Sequence, residues 1–162
     1  MKKRRYHRVA CKDVDWAGLA ERLGGRAVII GVDVAKEDFV SALLCEGEVV
    51  AQVKWQHPQE TGAWLCGVER LAAGGPVVVA LEPSGVYGDA LHWQLSRRGI
   101  AVYAVSPKRV HDAAEVYDGV ASLHDAKAAQ VIAELHRQGR SAPWAVLPED
   151  RRAAHAQVNR LR

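Results

Sequence analysis

The order in which strand-like and helix-like segments follow one another is the feature that most constrains this fold. Stretches rich in Val and Ile predict strands, and apolar residues at helical spacing predict helices. Strands are predicted at 26–34, 37–44, 49–55, 77–81 and 100–105, and helices at 59–73, 87–98, 107–117 and 124–138. This order, β-β-β-α-β-α-β-α-α, predicts an α/β fold in which a mixed sheet is flanked by helices.

The charges of the chain are concentrated at its two ends. Residues 1–12 hold six Lys and Arg and no acid, and residues 149–162 hold four Arg against Glu149 and Asp150. Residues 13–148, by contrast, hold 12 basic and 17 acidic residues. The basic ends are either solvated tails or arms that bind nucleic-acid phosphate, because Lys and Arg release counterions from the phosphate backbone.

Length and composition set the domain organisation. The 162 residues suffice for one domain of ordinary size. We divide the chain into a basic N-terminal extension (1–25), one α/β domain (26–140), and a linker that leads into the start of a further helix (141–162). No apolar run is long enough for a membrane span, so no membrane partner is expected. Cys11, Cys45 and Cys66 lie far apart without a CxxC pair, and we interpret them as reduced thiols of a cytoplasmic protein.

Three acids stand at unexpected places in this pattern. Asp33 lies in the first predicted strand, Glu82 ends the fourth, and Asp125 opens the last helix. Each has an ordinary explanation when taken alone: an exposed edge, a turn, or the favourable N-terminus of a helix. Ligands of α/β sheets nevertheless gather at the carboxyl ends of strands, and neighbouring carboxylates repel unless a cation neutralises them. The three acids together predict a site for Mg²⁺ (or Mn²⁺), which prefers such oxygen ligands.

Three segments of the sequence resemble a known family. They are GVDVAKEDFVSALL, ALEPSGVYGDALHWQLSRRGIAVYAVSPKRV and HDAKAAQVIAELH, within residues 28–136. In this order and at these separations they are similar to the DEDD transposases, which include the Piv-like invertases and the bridge-RNA-guided recombinases of insertion sequences. The resemblance implies a ribonuclease-H-like fold of the RuvC branch. It also implies metal-dependent DNA cleavage and strand transfer during transposition, with DNA, a guide RNA and further copies of the chain as partners.

The resemblance implies four acidic metal ligands, and one of them is missing. Asp33, Glu82 and Asp125 match the first, second and fourth positions, whereas Ser122 stands at the third. Asp118, seven residues before Asp125, would share its face if the segment were one continuous helix, and we take it as the provisional fourth ligand. His124 is a second substitute, and an incomplete site is the remaining possibility.

The family's transposases also carry a C-terminal domain with a catalytic serine, after a coiled-coil helix. Residue 162 falls about where that coiled coil is expected to begin. We therefore expect this chain to be a catalytic-domain fragment or a truncated product. A nucleic-acid-binding and assembly module without activity is the alternative function. A sugar-kinase-like phosphate site is disfavoured, because Val34 and Ala35 stand where such a site has a Gly and a Thr or Ser.

Further residues are candidates for contact with nucleic acid. Tyr87 either stacks on a base or is an ordinary tyrosine at the edge of the core. Lys108 and Arg109 follow Pro107 at the end of a predicted strand. They either bind phosphate near the acids or form the solvated start of a helix.

Overall fold

The computed structural model describes residues 6–83 and 86–145. Within these ranges it contains seven strands and five α-helices. The strands are β1 (Val9–Ala10), β2 (Val28–Asp33), β3 (Asp38–Cys45), β4 (Glu48–Gln56), β5 (Val77–Leu81), β6 (Ala101–Ala104) and β7 (Ala142–Pro143). The helices are α1 (Trp16–Leu23), α2 (Thr61–Gly74), α3 (Asp89–Arg97), α4 (Pro107–Asp118) and α5 (Asp125–Arg137).

The strands form one sheet in the order β1-β4-β3-β2-β5-β6-β7. The pairs β2–β3 and β3–β4 are antiparallel, whereas β5 pairs in parallel with both β2 and β6. Helices α2 and α3 supply the long crossovers that parallel strands require. The predicted fold class, a mixed α/β sheet flanked by helices with three antiparallel strands first, is confirmed.

Two segments outside the predicted α/β domain are packed onto it. Within the predicted extension, β1 pairs with β4 and α1 places Leu19 and Leu23 in the main apolar core. Helix α1 begins where the Asp15 side chain accepts from the Gly18 N–H, and it ends at Gly24, whose φ of 59° is left-handed. Within the predicted linker, β7 pairs with β6. The boundaries at 26 and 140 stay predictions, and the further helix predicted near the end lies outside the described residues.

The two faces of the sheet are covered by different helices. One face, which we call the α2 face, is covered by α1, α2 and α3, and its core contains Ile30, Phe39 and Trp64. The other, which we call the α5 face, is covered by α4 and α5 around Ala80, Val131 and Ile132. Since successive residues of a strand point to opposite faces, Gly31 and Asp33 face α5, whereas Ile30 and Val32 face α2.

Gly31 lets α5 lie directly on β2. A Cβ at this position would meet the backbone of α5, with Ala133 N only 2.6 Å away and the Ala129 carbonyl closer still. A buried hydrogen-bonded chain fixes the helix further: Gln130 Nε2 donates to Gln52 Oε1 (3.0 Å), and Gln52 Nε2 donates to the Ala126 carbonyl (2.8 Å). The position of Asp125, at the start of α5, is therefore set by the sheet itself.

None of the described helices is both long and apolar enough to cross a membrane. Cys11 and Cys45 are buried and Cys66 is exposed, and all three are free thiols.

Candidate active site

Asp33 and Glu82 are neighbours at the carboxyl edge of the sheet. Strands β2 and β5 are parallel and pair through Val32 and Leu81, and the next residues along the two strands are Asp33 and Glu82. Adjacent strands lie about 4.8 Å apart, so the two acids emerge side by side. The sequence predicted that acids at the carboxyl ends of strands would lie close together, and these two do.

Asp125 completes a group of three acids, which we call the acid site (Asp33, Glu82 and Asp125). Burial, which is the largest cause, and the negative charges of Glu82 and Asp125 together raise the pKa of Asp33 from 3.8 to about 6. Burial also raises the pKa of Glu82. Desolvation and like charges both disfavour the ionised carboxyl. Three carboxyl groups therefore lie close together in the acid site, and among the described residues no Lys or Arg forms an ion pair with Asp33.

Asp125 itself is held by a cation from the N-terminal segment. Arg8 Nη1 lies 2.8 Å from each of its two carboxylate oxygens. Asp125 Oδ1 also accepts from the Ala126 N–H at 2.7 Å, as expected for an acid in the first turn of a helix. About 40% of the Arg8 side chain and 38% of the Asp125 side chain are exposed, so solvent or a competing cation can reach the pair.

Asp118 lies on a different helix from Asp125 and has other partners. Gly119, with a φ of 81°, ends α4, so the condition for a shared face, one continuous helix from 118 to 125, is not met. Asp118 Oδ1 accepts from Lys127 Nζ at 2.6 Å, and Oδ2 accepts from the Tyr6 hydroxyl at 2.5 Å. These two donors hold the pKa of Asp118 well below its usual value. The role of Asp118 as fourth ligand stays a prediction.

Lys127 was missed by the sequence reasoning. Its side chain is only 1% exposed, and Nζ donates to Asp118 Oδ1 and to the carbonyls of Val120 (2.5 Å) and Ser122 (2.9 Å). Three acceptors satisfy the three protons of the buried ammonium group. In the structure, every residue of 126–133 is buried in α5. The signal in the sequence was therefore a lysine within a mostly apolar helical stretch. Lys127 thus ties the loop at 119–124 to the start of α5.

Ser122, which stands at the third position, and His124, the second substitute for it, both have contacts with neighbouring residues in the chain. Ser122 is exposed, and its carbonyl is one of the acceptors of Lys127. His124 is the N-cap of α5, where its Nδ1 accepts from the Lys127 N–H at 3.3 Å. Its ring and the Tyr6 ring form a T-shaped pair with ring centres 4.7 Å apart. Neither residue is among the charges that raise the pKa of Asp33.

The described part of the basic N-terminus lies against these residues. Tyr6 contacts Asp118 and His124, and Arg8 contacts Asp125. The sequence offered two interpretations of this end, a solvated tail or an arm for phosphate, and neither includes an ion pair with a site residue. Residues 1–5 and the second basic end at 149–162 lie outside the described residues.

Lys108, Arg109 and Tyr87 lie on the surface. Helix α4 starts directly after β6, which is parallel to β5, so its first turn also lies at the carboxyl edge. Lys108 is 86% exposed and contacts Asp112 at 3.5 Å, and Arg109 is exposed. Tyr87 is 42% exposed, which disfavours a place in the core. Ser84 and Gly85, which belong to the matching ALEPSGVYG segment, lie outside the described residues.

The donor set of the acid site suits a hard divalent cation, since it consists of carboxylates whose mutual repulsion a cation would relieve. In the described part of the chain, however, no three His, Cys, Asp or Glu residues already form a group that could hold a metal ion. Arg8 supplies the positive charge at Asp125 instead. A metal would thus have to compete with this guanidinium.

Solved structures show the class of fold. RuvC from Thermus thermophilus matches with a TM-score of 0.53 and 18% identity, covering 72% of this chain and 99% of that one. The same protein in complex with a Holliday junction substrate matches with a TM-score of 0.51 at 18% identity, with the same coverage. The chain has a RuvC-like, ribonuclease-H-like fold. At this identity the likeness concerns the fold alone.

The family follows from the sequence. The family model for DEDD transposases of the IS110 type, described as transposase, matches residues 30–160. The chain therefore belongs to this transposase family, and the resemblance stated from its motifs is confirmed. No curated protein matches the chain.

Proposed function

We propose that this domain carries out metal-dependent cleavage and transfer of DNA strands during transposition. The observation that carries the proposal is the acid site, in which Asp33 lies beside Glu82 and is acted on by the charge of Asp125. Asp33, Glu82 and Asp125 are the proposed ligands of Mg²⁺ or Mn²⁺, with Asp118 as the provisional fourth. Bound divalent ions would polarise a DNA phosphodiester and stabilise the attacking and leaving oxygens.

The chain's own residues hold and orient these groups. Strands β2 and β5 fix Asp33 and Glu82 on a rigid sheet, and the contact of α5 with Gly31 fixes Asp125 above it. Lys127 holds the loop that precedes Asp125. Arg8 neutralises Asp125 while no metal is bound, so that ion binding is an exchange of one cation for another.

DNA is the proposed substrate, from the family and from the RuvC complex with a Holliday junction. Lys108 and Arg109 are proposed to bind its phosphates, and exposed Tyr87 to stack on a base. Gly88, next to Tyr87, lies near Val34, which brings this turn close to the end of β2. A guide RNA, a homo-oligomer and a cytoplasmic location belong to the same proposal.

Cleavage of a synthetic DNA four-way junction and of the matching duplex tests the proposal. We expect nicking in Mg²⁺ or Mn²⁺ and none in EDTA. Asp33→Asn and Glu82→Gln should reduce the rate by at least about a hundredfold, because each removes a ligand charge. Glu46→Gln is the matched control, since this acid is 68% exposed and pairs with Arg26. Equal rates for Asp33→Asn and Glu46→Gln would contradict the proposal.

A binding and assembly module is the second candidate, favoured by the partners of two acids. Arg8 holds Asp125, and Lys127 and Tyr6 hold Asp118. If these pairs persist when DNA binds, the domain recognises nucleic acid without cutting it. It would then bind the four-way junction equally well in Mg²⁺ and in EDTA, with the same affinity for the wild type and Asp33→Asn.

A further inference from the structure

Lys54 lies in the same cross-strand row as the acid site. It pairs with Val40 of β3, which in turn pairs with Asp33 of β2. Directly paired residues point to the same face, so Lys54 and Asp33 both point to the α5 face. Two strand spacings separate their backbones by about 10 Å.

The face is open at the position of Lys54. Two residues earlier on β4, Gln52 is buried under α5 and donates to the Ala126 carbonyl. Lys54 lies beyond the start of that helix and is exposed. Among the described residues, no carboxylate forms an ion pair with it. An exposed ammonium group without an ion-pair partner among the described residues thus lies on the same face of the sheet as Asp33.

A pocket extends from Lys54 to Asp125, one of the three acids of the acid site. It has a volume of about 450 Å³, and its lining includes Lys54, Lys12, Arg8 and Asp125. Asp38 and Glu60 also line it, and Glu60 accepts from the Gln56 N–H at 2.9 Å. DNA brought to a cluster of carboxylates is repelled by them, and cations beside the cluster offset this repulsion.

We propose that Lys54 binds a phosphate of the cleaved DNA strand within about three nucleotides of the cleaved bond, because about 10 Å corresponds to that length at ~3.4 Å per nucleotide. The position of the cleaved bond rests on the proposed function, whereas the phosphate contact itself does not. Lys54 would then fix the register of the strand across the acid site.

Anisotropy of a labelled four-way DNA junction, titrated with the full chain in EDTA over a range of salt, tests the contact. Lys54→Met should weaken binding by about tenfold and lower the salt slope by about 1. The control is Arg70→Met, which removes one exposed charge from α2 on the opposite face and should change neither quantity. Equal effects of the two variants, or no binding by the wild type, would overturn the proposal.

Neutral methylphosphonate groups, introduced one position at a time, locate the phosphate. At the phosphate that Lys54 contacts, the neutral group already removes the interaction, so Lys54→Met should not weaken binding of that DNA any further. This position should lie within about three nucleotides of the bond that the wild type cuts in Mg²⁺. If the two effects fail to add at a phosphate far from that bond, the proposed position is wrong. If the effects fail to add at one phosphate but the wild type never cuts the DNA, the phosphate contact is supported and the proposed function is contradicted.

Discussion

The face of the sheet under α1, α2 and α3 holds the larger apolar cluster with a few buried polar side chains, whereas the face under α4 and α5 contains a smaller apolar cluster beside long buried polar side chains. On the α2 face, Trp55 and Trp64 stack with ring centres 4.4 Å apart. On the α5 face, Gln52, Lys127 and Gln130 are buried and hydrogen-bonded. One face thus stabilises the fold through apolar burial, and the other uses polar contacts to place Asp125 beside Asp33.

Removal of Trp64 is expected to have the largest effect on stability. Its side chain is completely buried on the α2 face and its Nε1 donates to Ser41 Oγ. Trp64→Ala should lower the free energy of unfolding by about 3–5 kcal/mol, measured by urea denaturation. Val116→Ala, at an 88% exposed position, should stay within about 0.5 kcal/mol of the wild type. A loss below about 1 kcal/mol at Trp64 would show that this face does not dominate stability.

Lys127→Met removes the buried ammonium group from the α5 face. The substitution leaves the Val120 and Ser122 carbonyls and the Asp118 carboxylate without their buried donor, and it should lower the free energy of unfolding by about 3 kcal/mol. Adding Asp118→Asn should recover part of the loss, because the unpaired charge is then removed. A single variant as stable as the wild type would contradict a structural role for this ammonium group.

Gly31→Ala tests how closely α5 lies on the sheet. The added methyl would meet the α5 backbone and should cost about 1–3 kcal/mol in the free energy of unfolding. Gly62→Ala is the control, since nothing lies within 4 Å of a Cβ there, and in helix α2 alanine should be neutral or stabilising by up to about 1 kcal/mol. If both variants have equal stability, the close contact is not present.

The pH dependence of stability in EDTA tests the environment of Asp33 on the α5 face. The pKa of Asp33 is raised in the folded state from 3.8 to about 6, so the folded state binds its proton more tightly than the unfolded state does. The stability of the wild type relative to Asp33→Asn should therefore be greatest below pH 4 and fall as the pH rises through about 6. Urea denaturation of both proteins at several pH values measures this difference. A difference that rises with pH would contradict the assigned environment of Asp33.

The sequence predicted the parts of the molecule that depend on local pattern. Runs of Val and Ile with helical segments between them give β2 to β6 and α2 to α5, because burial on a sheet requires that periodicity. Asp33 and Glu82 could be predicted as neighbours, since parallel strands end at one edge.

The contacts that cross long distances in the chain could not be predicted. Arg8 and Asp125 are 117 residues apart, and Tyr6 and Asp118 are 112 apart. Strand β1, which leads away from Arg8, has only two residues and no periodic pattern of its own. The break between α4 and α5, by contrast, is local and was predicted, since Gly119 falls between the two predicted helices. The contacts of Arg8 and Tyr6 decide which acids are available to a cation.

Calorimetric titration with Mn²⁺ tests most directly whether Asp33, Glu82 and Asp125 form one metal site. The wild type should bind Mn²⁺, and Asp33→Asn, Glu82→Gln and Asp125→Asn should each weaken binding by at least about tenfold, because each loses a charged oxygen ligand. Arg8→Gln should tighten binding, since it removes the competing guanidinium from Asp125. Asp118→Asn decides whether the fourth acid is a ligand. A wild type that does not bind Mn²⁺, or binding that all three acid variants retain, would contradict the account.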